Sequence, residues 1–265
     1  MSLEDLNMNR NTATHLGRQR MLILIMAVAG LCPLQACNSS GGAGSNTPTP
    51  SPPLGDRFER VDVQADADAV IYETGDVANG QGQQLLVSAR PSDPTRRTVI
   101  HFSVDQALPE GALIAGSRLC FSVSQALEAT ISIELHRIVK AWNEGPTAAS
   151  GNERSGVMAS SGDVTWFHTG TGAWESWETP GGDFAVDADS VQQVTETAGR
   201  VCLENSGGDG NMNTTVQSWV NSPEENFGWI LLSPDTGSYA LRGFYSSNSV
   251  DPSMRPVLEL TYSRG

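Results

Sequence analysis

The 265 residues carry a formal net charge of −14. The first 36 residues contribute +1, from Arg10, Arg18 and Arg20 against Glu4 and Asp5, so the remainder carries −15. This balance excludes nucleic acid and anionic lipid headgroups as direct partners, since both need a basic footprint, while the length allows one large domain with attachments.

In chain order the first feature is HLGRQRMLILIMAVAGLCPLQAC, residues 15 to 37, where Arg18 and Arg20 precede an apolar run from Met21 to Leu31. The run is too short for a membrane-spanning helix, which needs about 20 residues, and fits the core of an export signal. Leu34-Gln35-Ala36-Cys37 resembles a bacterial lipobox, which makes residues 1–36 a signal peptide and Cys37 the lipidated N-terminus; an ordinary secretory signal cut near Ala36 is the alternative. From Asn38 to Gly55, NSSGGAGSNTPTPSPPLG offers nothing to bury and is expected to be a tether, with no part in the fold.

From residue 56 onward, short apolar runs with β-branched residues are separated by turn signals, as strands are. The expected strands are Ala69–Tyr72, Gln84–Ser88, Thr98–Val104, Ser117–Val123, Ile131–Val139, Arg200–Leu203, Gly228–Ser233 and Val257–Tyr262. In Ile131-Ser132-Ile133-Glu134-Leu135-His136 the alternation predicts one buried and one wet face. Only Asn213 to Val220 has helical spacing, with Asn213 as N-cap and Val216, Trp219 and Val220 on one face. The fold class is therefore all-β, a two-sheet antiparallel sandwich with one short helix over residues 56–265. Cys120 and Cys202 both fall in expected strands and form either a disulfide, in an oxidising compartment, or two buried thiols.

Motifs along this domain are similar, in order, to the DNRLRE (disaggregatase-related) domain: Asp68-Ala69-Val70-Ile71, Arg97 to Phe102, Arg137-Ile138 with Trp142-Asn143-Glu144, Val164-Thr165-Trp166, Trp177 with Pro180 to Phe184, Val216 to Asn221, Asn226 to Leu231, and Arg255 to Tyr262. The resemblance spans residues 62 to 263 and implies a jelly-roll sandwich of exported proteins, attached to polysaccharide-active enzymes or envelope proteins, with alginate binding in related modules. Two departures are Asn248, where that family often has glutamate, and Ser206 to Asn211, which reads as an insertion.

VTWFHTGTGAWESW, residues 164 to 177, concentrates the aromatic surface. Trp166 reads as packing, because the Thr-Trp unit recurs in the family. Trp174 and Trp177 lie in a glycine-rich loop where an aromatic ring can stack on a sugar, with loop packing as the alternative for Trp177. Trp142, Trp219 and Trp229 read as core. The sequence has no G-x-S-x-G, H-E-x-x-H, P-loop or C-x-x-C, so the corresponding hydrolase, metalloprotease, nucleotidase and redox chemistries lack their minimal parts. His101 and His136 read as sheet positions, and His168 is the one histidine with a loop setting suited to a base. Glu175 and Glu178 beside the tryptophans read as surface charge rather than the facing carboxylates of a glycosidase.

For a metal, Asp66 and Asp68 alternate along one strand, and Asp209 to Asn213 has oxygen ligands at alternate positions without the EF-hand glycine and glutamate; both suggest structural calcium and no other cofactor. Arg90, Arg96 and Arg97 form the one cationic cluster, through which, or through bridging calcium, an acidic polysaccharide could bind against the field of the domain. A neutral glycan meets no such field. The reading that follows is a lipid-anchored, non-catalytic module of the bacterial envelope that binds polysaccharide or supports adhesion; the alternatives are an exopolysaccharide lyase or glycosidase, and a structural protein with protein partners.

Overall fold

In the computed structural model the described residues are 58–264, apart from 92, 129, 152, 206–210, 235, 236 and 238. The expected signal peptide, Cys37 and the tether lie outside them, as do Asp209 and Gly210. No helix among the described residues is long and apolar enough to cross a membrane.

The elements run β1 (Glu59–Gln64), β2 (Ala67–Tyr72), β3 (Val77–Ala78), β4 (Gln84–Ser88), β5 (Arg96–His101), α1 (Val104–Ala107), β6 (Ala112–Leu127), β7 (Ile131–Ile138), β8 (Val157–Met158), β9 (Phe184–Val194), β10 (Gly199–Glu204), α2 (Met212–Asn221), β11 (Trp229–Leu232), β12 (Leu241–Tyr245) and β13 (Val257–Arg264). All pairings are antiparallel, in the order β1-β13-β6-β12-β4-β5-β11-β7-β9, with β10 added on β6 and β2 on β5. The fold is an all-β sandwich made by one sheet curled on itself. Its two layers meet through β4, which follows β12 over five residue pairs but touches β5 only at Ser88–Arg96. A small separate sheet joins β3 to β8.

The layers enclose a core in which Trp229 packs on Trp219 at 4.4 Å and on Phe102 at 6.3 Å, and Phe121 on Phe244 at 4.7 Å. A second apolar cluster lies on the opposite face of β2, β5, β7 and β11, where Ala69, Val99, Ile138 and Ile230 meet Val164, Trp166 and Trp177. Strand β11, covered on both faces, accordingly reads as an unbroken apolar run, Trp229-Ile230-Leu231-Leu232, whereas in β7 the face that the alternation predicted to be wet is covered, with Ser132 and His136 buried on it. Cys120 on β6 lies directly opposite Cys202 on β10, and the two form a disulfide with a sequence separation of 82. Cross-linking a loop of that length stabilises the fold by about 4–5 kcal/mol on the chain-entropy account.

Several elements differ from expectation. The strand expected to reach Val104 stops at His101, and Val104 opens the single-turn α1. The segment expected at Ser117–Val123 is a 16-residue strand, long enough to pair with β13 at one end and β12 at the other. Helix α2 starts one residue before Asn213: the side chain of Asn211 accepts from Thr214 N and is the cap. Asn213 instead binds β6, accepting from Ser117 Oγ at 2.7 Å, so both asparagines of the candidate calcium loop have structural partners. Strands β1, β3, β8, β9 and β12 have no counterpart in the expected set, β3 and β8 being only two residues each. Asp187 and Asp189 in β9, and Arg242 and Gly243 in β12, interrupt the apolar pattern that marks the others.

Candidate functional site

Residues 165 to 177 form a tight hairpin over the second apolar cluster. Its base is closed by Thr165 N donating to His168 O at 2.9 Å, Trp177 N to Phe167 O at 3.0 Å and Thr169 N to Glu175 O at 2.8 Å. The Thr165 hydroxyl accepts from the backbone of Phe167 and His168 and fixes the turn between them. At Gly170, φ is +79° and a Cβ would stand 2.7 Å from Asn143 O and 2.8 Å from Val164 N, so glycine is required there.

The three tryptophans of this segment have different fates. Trp166 is buried. Trp177 is 5% exposed and donates Nε1 to Thr165 O at 3.0 Å, which leaves no ring face for a sugar and makes it core, contrary to its candidacy as a stacking residue. Trp174 is 46% exposed and sits at φ +65°, a left-handed conformation that costs a bulky residue about 1–3 kcal/mol. Its ring is braced by the edge of His168 at a centroid distance of 5.1 Å, and His168 Nδ1 lies 3.0 Å from Asp76 Oδ1. Phe167, 40% exposed, is the other large apolar side chain that the hairpin leaves in solvent. Glu175 accepts from the Thr171 hydroxyl at 2.9 Å and pairs with Lys140 at 3.4 Å, so its carboxylate is engaged within the hairpin's surroundings, while Glu178 donates its backbone N–H to Asp183 and lines a concavity with it.

The arginines do not form a patch. Arg96 and Arg97 point to opposite faces of β5. Arg97 stacks on Trp166 at 4.7 Å, lies over Phe184 at 5.5 Å and donates to Gly181 O at 2.6 Å; burial pushes its pKa down. Arg96 is buried and donates to Arg154 O, Pro94 O and Asp93, and Arg90 binds the same aspartate at 3.1 Å while lying over Tyr239. All three are engaged within the fold, Arg90 and Arg96 sharing the single carboxylate of Asp93 and Arg97 lying on the opposite face of β5, so they do not make the continuous patch expected to attract an acidic polysaccharide.

A second concave region, a cleft of about 380 Å³, is lined by Asp66, His101, Trp142, Glu144 and Phe227 among others. Trp142, expected in the core, is half-buried on its wall and donates Nε1 to Phe227 O at 2.8 Å. Asp66 and Asp68, read as a pair, have different partners. Asp66 Oδ1 lies 2.6 Å from His101 Nδ1 and its Oδ2 accepts from Ser103; burial opposes its ionisation, but these hydrogen bonds outweigh that and hold the carboxyl below the usual range. Asp68 is fully buried and accepts from Ser247 N at 2.7 Å; burial pushes its pKa up to about 8 despite that bond, and the charge of Glu144 adds to the rise. The Glu144 carboxyl is also raised, by burial first, against donors from Asp68 N, Asn248 and Gln81, with the charge of Asp66 adding to the rise. Among the described residues no group of three or more His, Cys, Asp or Glu is placed to hold a metal.

Sequence reasoning missed Asp76, which orients His168, and the contact between Asp68, Glu144 and Asn248. The second was visible only as three separate motifs, since 76 residues separate Asp68 from Glu144 and 104 separate Glu144 from Asn248. No protein-family model matches the chain, and no curated protein matches it.

Proposed function

We propose that this protein is an envelope-anchored, non-catalytic module that binds polysaccharide through the Trp174 hairpin. The observation that carries the reading is the Trp174 ring, held out of the core on a left-handed backbone by a His168 that is itself fixed by Asp76. A strained, half-exposed indole braced from behind suits ring stacking on a sugar, and the nearby Thr171 and Glu175 supply hydrogen-bonding groups at its rim. The resemblance to the DNRLRE domain and the expected signal, lipidated Cys37 and tether support placement at the bacterial envelope. With Arg90, Arg96 and Arg97 engaged internally and a net −15 behind residue 36, neutral glycans are the expected ligands.

Affinity electrophoresis of the full-length chain through neutral and acidic polysaccharides tests this. Retention by a neutral glycan should weaken about tenfold in Trp174→Ala, the scale of one lost stacking contact. No retention by any polysaccharide, or retention indifferent to Trp174, overturns it. The competing reading, an exopolysaccharide lyase or glycosidase, rests on Asp66 and Glu144 sharing one cleft with carboxyls displaced in opposite directions. Three donors already occupy the Glu144 oxygens, so proton delivery to a substrate would first break that network. Release of reducing ends or unsaturated uronates by the purified protein, lost in Glu144→Gln, would decide for the enzyme.

A further inference from the structure

We propose that Asp68, Glu144, Asn248 and the carbonyl of Gly80 form a binding site for a divalent cation of the calcium type. Asp68 is 0% exposed, yet only its Oδ2 has a partner; Oδ1 is buried with none. Next to it, Glu144 Oε1 accepts from Asp68 N at 3.3 Å and from Asn248 Nδ2 at 3.1 Å, and the same Nδ2 lies 3.1 Å from Gly80 O. Four chain segments thus converge: β2, the loop after β7, the turn after β3 and the loop after β12. The approach is close enough that a Cβ on Gly80 would stand 2.2 Å from Glu144 O. The loop after β12 is fixed by Ser246, whose N and Oγ donate to Gln83 O and Gly82 O and whose Oγ accepts from Asn248 N.

The cluster is short of positive charge. Among the described residues no lysine, arginine or histidine hydrogen-bonds to or forms an ion pair with Asp68 or Glu144, whose donors are backbone N–H and side-chain amide groups. Keeping two desolvated carboxyls ionised without a counter-charge would cost several kcal/mol each. The Asn248 amide shows how the deficit is relieved, because its N–H groups stand between two oxygens at the distance of donors. Turning that amide over directs its Oδ1 to the same point, so that Asp68 Oδ1, Glu144 Oε1, Gly80 O and Asn248 Oδ1 become an oxygen ligand set carrying two negative charges. Glu144 also lines the 380 Å³ cleft, through which water can complete the coordination. An irregular set of carboxylate, amide and carbonyl oxygens suits calcium; magnesium requires a tighter octahedron, and zinc prefers the nitrogen and sulfur ligands that these four residues lack. The site shares no residue with the Trp174 hairpin and does not depend on glycan binding.

The test uses the full-length chain stripped with chelator and titrated with calcium or magnesium chloride, followed by calorimetry and thermal unfolding. One equivalent of calcium is expected to bind and to raise Tm by about 5–10 °C at a hundredfold excess over Kd, with a smaller shift from magnesium at equal concentration. Asp68→Asn and Glu144→Gln should abolish the response, whereas Asp66→Asn, altered in the same cleft but outside the cluster, should keep it. In chelator Asp68→Asn should melt above the wild type, because an idle buried carboxylate has been removed, and in calcium below it. If a variant fails to fold by circular dichroism, terbium luminescence decides: emission from the wild type, displaced by calcium, should be lost in Trp142→Phe, which removes the indole two residues from Glu144. Absence of binding by either cation, binding that survives in folded Asp68→Asn and Glu144→Gln, or terbium emission that ignores Trp142 overturns the proposal.

Discussion

Two aspartates of this domain are almost equally buried and are treated oppositely. Asp163, 1% exposed, accepts from Thr147 N and the Thr147 hydroxyl and from Ser160 N, and its two oxygens brace the loop between β7 and β8. Asp68, 0% exposed, receives a single backbone donor and leaves one oxygen idle beside another carboxylate. Burial alone therefore says little about the role of an acidic residue. A carboxylate whose lone pairs are all taken by local N–H and O–H groups is a brace, and one left short of donors marks a place where something else is expected to bind.

The sharpest way to break this contrast is at the brace. Asp163→Ala removes the shared acceptor of three donors on the half-buried Thr147 and the exposed Ser160, at about 1.5–3 kcal/mol for each hydrogen bond to a charged group, so a loss near 5 kcal/mol and a fall in Tm of about 10–20 °C are expected. A loss under about 1 kcal/mol in chemical denaturation would show that those donors find water instead. The two tryptophans repeat the contrast on a smaller scale. Trp177→Ala should cost about 4 kcal/mol by emptying the second apolar cluster, whereas Trp174→Gly should stabilise the fold by about 1 kcal/mol by relieving φ +65° while removing glycan retention. Equal effects of the two on stability would place Trp174 in the core. Next in size is Asp68→Asn in chelator, expected to stabilise by about 1–2 kcal/mol because a buried carboxyl with one unpartnered oxygen, which ionises only at the cost of desolvation, is replaced by a neutral amide.

How far these features can be read from the chain depends on the range of the interaction that makes them. The strand Trp229–Leu232, buried on both faces, was legible because apolar side chains on both faces leave an unbroken run. The β9 segment was not legible, since an edge strand can carry Asp187 and a 91% exposed Val186 and still be held by its ladder to β7. The same limit separates the aromatic residues. Composition placed three tryptophans in one segment, but only the closure of the hairpin decides that Trp177 faces inward and Trp174 outward. Arg90, Arg96 and Arg97 look like a cationic patch because they are close in sequence, yet β alternation sends Arg96 and Arg97 to opposite faces. The cluster of Asp68, Glu144 and Asn248 is the reverse case, residues far apart in sequence brought to one point by the sheet.

The smallest effect is expected at the edge of the sheet, where Glu59 on β1 accepts from Arg264 Nε at 2.8 Å and Nη2 at 3.2 Å and from Tyr262 OH at 2.8 Å on β13. The hydrogen bond from Arg264, and then that from Tyr262, lowers the Glu59 pKa below the ordinary glutamate value. A carboxyl whose pKa is depressed on folding stabilises the folded state above its unfolded pKa, and that contribution disappears as pH falls through the folded value. Because the pair is exposed, salt screens it and its worth is small. Glu59→Gln should therefore lower Tm slightly at pH 7, and the gap between variant and wild type should close as pH drops below about 4 and in about 1 M salt. A gap that persists through both changes would mean that Glu59 holds β1 by shape and neutral hydrogen bonding, as Asp163 holds its loop, and the distinction between charged edge and satisfied interior would not extend to this strand.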